Sequence, residues 1–99
     1  MQFVIEYAAR PKSELAMQAH RAAHLSYRMQ LASLRIAMQV RSPEGVVIGS
    51  IILLETDTLA QAESIAQTDP YVAAGVFSLL SIRPVEVRFC NLKAGPPGT

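Results

Sequence analysis

The chain has no tryptophan, a single cysteine and only 6% aromatic residues. Each scarcity excludes something. So few aromatics give no platform on which nucleic-acid bases would stack. Cys90 has no second thiol to pair with, and one thiol with two histidines is a poor zinc set. The plain expectation for Cys90 is a small apolar residue in a strand. Charge of one sign is lacking as well: the formal net charge is +1 and the charged residues are dispersed. A nucleic-acid footprint needs a clustered basic face, so nucleic acid is not an expected partner. No apolar run is long enough to span a membrane, and the first residues read as a strand, not as a secretion signal. The expected location is therefore cytoplasmic, with no membrane partner.

What is present is apolar. Hydrophobic residues make up 51% of the 99 positions, enough for one domain with a real core. A domain this small buries a modest fraction of its surface, so pairing with a second copy would help it.

Residues 2–8 are rich in β-branched and aromatic side chains and predict the first strand. Arg10-Pro11-Lys12-Ser13 breaks it, and Ser13 suits an N-cap with Glu14 in the first turn. From residue 14 to about 32 there is no proline or glycine, and the composition favours a long helix. Leu15, Ala19, Ala22, Leu25 and Met29 share one sector of it, the face expected to pack on a sheet. Arg21, His24 and Arg28 share another. Residues 34–40 predict a second strand, 41–45 a turn with Pro43 and Gly45, and 46–55 a β-branched third strand. Gly49 inside that strand marks a bulge or a close approach. A second helix is expected over about 59–67, capped by Asp57 or Thr58, with Leu59, Ala62, Ile65 and Ala66 inward. Residues 81–89 alternate apolar with charged and predict the last strand. Pro84 consigns that strand to an edge or a bulge. The polar, Gly/Pro-rich residues 93–99 predict a disordered tail after a single domain over 1–92.

The resulting order, β-α-β-β-α-β, is the split pattern of ferredoxin-like α+β domains. Val47, Ile48, Ile51, Ile52, Leu53 and Leu54 cannot all point at two helices on one face. The uncovered face predicts a homodimer whose two sheets close into a shared α+β barrel.

Asp69-Pro70-Tyr71 is the sharpest local signal. Proline disfavours the α conformation in the residue before it yet fits the first position of a helix, where aspartate caps exposed amides. Asp69 therefore predicts an N-cap opening a short turn that Gly75 ends. From the residues alone, His24 reads first as a surface or packing residue and Asp69 as a cap without chemistry.

The string Asp69-Pro70-Tyr71-Val72-Ala73-Ala74-Gly75, with Arg21-Ala22-Ala23-His24-Leu25 on the first helix and Gly49-Ser50 in the third strand, resembles the YCII-related family. These are small dimeric α+β proteins similar to muconolactone isomerases, and the resemblance covers most of the chain. It implies a His–Asp pair, His24 with Asp69, as general acid or base. It also allows His20, in Ala19-His20-Arg21, although His24 stands in better register with Asp69. Arg21, Ser50 and Tyr71 are the candidate substrate-binding residues, with Arg28 an alternative to Arg21 for holding an anionic group. Many relatives carry a Gly-Pro pair at the end of the second strand, where this chain reads Ala37-Met38-Gln39-Val40-Arg41-Ser42-Pro43.

No phosphate loop or metal-ligand spacing is present, so no cofactor and no metal are expected. The implied function is a cofactor-independent lyase or isomerase, dehydrochlorinase-like, acting on a small cyclic acidic metabolite. The alternative is a non-catalytic module that binds a small ligand, or a second copy, through the same cleft. Haem or oxygen chemistry, which related dimeric barrels support, would need His20 or His24 as an axial ligand.

Overall fold

In the computed structural model, which describes residues 1–92, seven elements follow one another. They are β1 (Gln2–Ala9), α1 (Glu14–Met29), β2 (Leu34–Arg41), β3 (Val47–Glu55), α2 (Leu59–Thr68), α3 (Pro70–Ala73) and β4 (Phe77–Val85). The tail expected over 93–99 lies outside the described residues. The strands form one antiparallel sheet in the order β2-β3-β1-β4. This is the ferredoxin-like arrangement, with the short α3 added after Asp69.

The alternation in β1 explains the layering. Phe3, Ile5 and Tyr7 are buried while Gln2, Val4 and Glu6 are less so. The buried set joins Ile52 and Leu54 of β3, Ala62 and Ala66 of α2, then Tyr71, Val76 and Phe77, in one core. All helices therefore lie on one face of the sheet. Ala62 and Ala66 are fully buried, and their small side chains let α2 approach the strands closely. A capping box fixes where α2 starts: the Thr58 hydroxyl accepts from the Gln61 amide, and the Gln61 side chain accepts from the Thr58 amide. Gly49 marks a close approach, because a Cβ there would collide with the Tyr7 carbonyl oxygen across the β1–β3 ladder. Pro84 sits in β4, which is an edge strand, opposite Phe3.

Three expectations are corrected. First, α1 is rolled about its axis from the predicted orientation. Leu15 is 81% exposed and Met29 66%, while His24 and Arg28 are buried and Ala16 and Met17 touch the core. His24 and Arg28 face inward, while Arg21 of the same sector stays exposed, because partners from distant elements await those two and burying them leaves the charge paired. Second, β4 begins at Phe77 and ends at Val85, not at 81–89. Its partner β1 runs out at Gln2, opposite Val85, so Val87 and Phe89 alternate correctly but have no strand to pair with. Cys90 consequently lies exposed and outside any strand. Third, Ser13 occupies the N-cap of α1 but its side chain makes no capping hydrogen bond.

The opposite face of the sheet carries Val4, Ile36, Met38, Ile51 and Leu53, which the registers Val4–Leu53, Ile36–Leu53 and Met38–Ile51 bring together. No helix covers this apolar face among the described residues.

Candidate active site

Asp69 is where three elements meet. Proline at position 70 stops α2, and Asp69 turns out of the helical conformation with φ −55° and ψ 128°. Its Oδ1 accepts the Tyr71 amide at 2.9 Å, so it caps α3 as expected. The same Oδ1 lies 2.7 Å from His24 Nδ1, and Oδ2 accepts from Arg28 Nε at 3.1 Å. His24 and Arg28 stand one turn apart on the inward side of α1. The structure thus brings His24 and Asp69 together across 45 positions of sequence.

The carboxylate is 1% exposed. Burial alone would raise its pKa. The hydrogen bonds from His24 and the Tyr71 amide, with the charges of His24 and Arg28, outweigh burial and hold the carboxyl below its ordinary value. An ionised carboxylate only accepts, so His24 Nδ1 carries the proton and Nε2 is left as the basic nitrogen. No hydrogen bond to Nε2 exists among the described residues. The imidazole lies flat on the Tyr71 ring, with centroids 3.8 Å apart and planes 5° apart, and Phe77 meets it edge-on. Its orientation is therefore fixed by Asp69 at one edge and by aromatic rings on two sides.

A pH effect on stability follows. Asp69 has a depressed pKa in the folded state, so its contribution is fully present above the ordinary aspartate value of about 4. It is lost as pH falls through the lower folded value. Urea midpoints measured from pH 6 downward should fall below about pH 4, and the decline should be shallower in Asp69→Asn.

The remaining predicted residues are dispersed or already engaged. Ser50 is 2% exposed; its hydroxyl donates to the Met38 carbonyl at 3.0 Å and accepts from Arg28 Nη1 at 2.9 Å. Tyr71 is buried and its hydroxyl donates to the Met17 carbonyl at 3.1 Å. Burial pushes the Tyr71 phenol up, while Arg21 on the exposed side of α1 pulls it down. His20 lies on that exposed side, away from Asp69. The residue not foreseen as a partner of Asp69 is Arg28, although its place four residues after His24 was the available signal. Tyr7, beneath the Arg28 guanidinium at 5.5 Å, was also missed. Burial raises the Tyr7 phenol strongly.

A surface groove of about 510 Å³ lies elsewhere, near Ser33, Glu55, Asp57 and Gln61, and shares no residue with this cluster. Among the described residues, no group of three or more His, Cys, Asp or Glu side chains is placed to hold a metal, and no helix is long and apolar enough to cross a membrane.

Among solved structures, the chain is similar to 5-chloro-2-hydroxyhydroquinone dehydrochlorinase (TftG) from Burkholderia phenoliruptrix AC1100, determined in complex with 2,5-dihydroxybenzoquinone. The TM-score is 0.78 at 24% identity, over 87% of this chain and 94% of that one. Rv0793 from Mycobacterium tuberculosis gives a TM-score of 0.53 at 10% identity, over 89% and 97% of the two chains. These likenesses establish the shared fold. Protein YciI of Escherichia coli O6:H1 (strain CFT073) and of Shigella flexneri is 42% identical over 41 residues. That match spans 41% of this chain and 42% of the relatives' length. The YCII-related domain itself matches residues 1–86, from the first strand to the end of the last and across both halves of the Asp69 cluster, and the chain belongs to that family.

Proposed function

We propose that the protein is a cofactor-independent lyase or isomerase in which His24 is the general base and Asp69 orients it. The observation that carries this reading is the 2.7 Å contact between His24 Nδ1 and a buried, fully hydrogen-bonded carboxylate. That contact leaves Nε2 as the acceptor of a substrate proton. Asp69 steadies the imidazolium that forms. The substrate class is a small cyclic acid such as a hydroxylated quinol. The dehydrochlorinase that shares this fold supports the class, since its chemistry removes a proton and a chloride without a redox change. His24 takes a proton from an acidic O–H and, as imidazolium, returns it to a ring carbon, which completes an isomerisation; where that carbon bears chlorine, His24 then takes a second O–H proton as the electron pair expels chloride and leaves the quinone. Arg21, Ser50 and Tyr71 are the proposed substrate contacts. The test is turnover of 5-chloro-2-hydroxyhydroquinone and related quinols, followed as chloride release and ultraviolet change.

A second reading has its own support: only 4% of His24 is exposed, beneath Tyr71. On that reading the same cleft binds a small ligand without turnover. Saturable binding of 2,5-dihydroxybenzoquinone with no conversion of any quinol favours it; turnover excludes it.

We further propose that the functional unit is a homodimer. The support is the apolar sheet face of Val4, Ile36, Met38, Ile51 and Leu53, which a second copy of the same face would cover. Light scattering at micromolar concentration should give twice the 10.8 kDa chain mass. A monomer there would sink the dimer.

A further inference from the structure

Arg28 belongs to the buried cluster but has no role in the base chemistry described so far. It is 4% exposed, and its guanidinium ties three parts of the fold together. Nε reaches Asp69 at the α2–α3 junction, Nη1 reaches Ser50 on β3, and the plane sits over Tyr7 of β1. Nη2 is buried with no hydrogen-bond partner among the described residues. A helix that merely needed packing here would be served by a leucine or methionine. A buried cation with one unsatisfied donor costs stability, and its retention calls for a reason.

Charge supplies one. With His24 neutral, Asp69 and Arg28 sum to zero. When His24 accepts a proton the cluster becomes +1, and the substrate that lost the proton becomes −1 beside it. The pair then balances. Without Arg28 the resting cluster would be −1, and a buried negative charge of that kind draws a proton onto the imidazole before any substrate arrives. A base that is already protonated cannot act.

We propose that Arg28 is a positioning residue: it fixes Asp69 and cancels its charge, so that His24 rests unprotonated and becomes cationic only when a substrate anion forms. The catalytic consequence rests on the reading of His24 as base; the electrostatic one does not. The charged and titratable groups around His24 are Asp69 and Tyr71 from the junction and α3, and Arg21, Arg28, His20 and Tyr27 from its own helix. Tyr7 of β1 lies beyond Arg28; Ser50 from β3 and Phe77 from β4 carry no charge.

The experiment is an NMR pH titration of the His24 ring in wild type, Arg28→Lys and Arg28→Met. In Arg28→Met the midpoint should rise by about one pH unit, because a repelling cation has gone and Asp69 is left uncancelled. Arg28→Lys keeps the cation and should stay near wild type. A residue that only packs would move neither midpoint, so an unmoved or lowered midpoint in Arg28→Met overturns the proposal. So does a rise in Arg28→Lys as large as that in Arg28→Met. If Arg28→Met fails to fold, Asp69→Asn is compared with Asp69→Asn/Arg28→Met, a pair in which no lone buried carboxylate remains. The double variant must then titrate higher than Asp69→Asn, and equality overturns the proposal. A wild type inert toward every quinol would sink the base reading alone, leaving the titration to decide the role of Arg28.

Discussion

His24→Gln should lower kcat/KM on a converted quinol by about 10²–10⁴-fold, the usual contribution of a positioned base. Glutamine suits the test better than alanine. His24 is buried, stacked on Tyr71 and hydrogen-bonded to Asp69, so truncation would open a hole and orphan the carboxylate. A glutamine amide donates to Asp69 but offers no basic nitrogen. The loss should fall on kcat, because the proton moves only in the transition state while quinol binding uses other groups. Thermal unfolding followed by circular dichroism should show the variant folded. Turnover within a few-fold of wild type would remove His24 from the chemistry and pass the second reading to the front. His20→Gln serves as the control and should leave turnover unchanged, since that ring stands on the exposed side of α1.

Much of this fold is legible in the residues, and the failures are instructive. Punctuation by Pro11, Pro43–Gly45 and Asp69–Pro70 separates the elements, so the β-α-β-β-α-β order follows from local chemistry. The N-cap role of Asp69 and the close approach at Gly49 are local too, and the structure shows both. The roll of α1 is not. The apolar sector of Leu15, Ala22 and Met29 points to the wrong face, and what turns His24 and Arg28 inward lies far along the chain, at Asp69 and Ser50. Apolar periodicity carries no information about a polar pair that closes over 41 positions. The end of β4 fails for a similar reason: alternation continues to Phe89, but a strand extends only as far as its neighbour does. The candidate site was half legible. Grouping His24 with Arg28 on one helical face is a local inference; turning that face inward onto Asp69 needs the tertiary fold.

Asp69→Ala should destabilise the protein strongly, costing about 3–5 kcal/mol. Three donors converge on this carboxylate, and all three residues that supply them are buried: His24, Arg28 and Tyr71. Losing the cap of α3 accounts for about 1 kcal/mol. The larger part is the Arg28 cation, left in the interior with Ser50 as its one hydrogen-bond partner among the described residues. Against a typical domain stability of about 5–15 kcal/mol, such a loss is a large fraction of the total. Asp69→Asn should cost less, since one amide oxygen still accepts from the Tyr71 amide or from Arg28, though its NH₂ then faces donors. Adding Arg28→Met to Asp69→Ala should recover stability by removing the uncompensated charge, a coupling that a double-mutant cycle in urea measures directly. A cost for Asp69→Ala near 1 kcal/mol, with no recovery in the double variant, would reduce Asp69 to a helix cap. The dyad and the charge balance built on it would fall together.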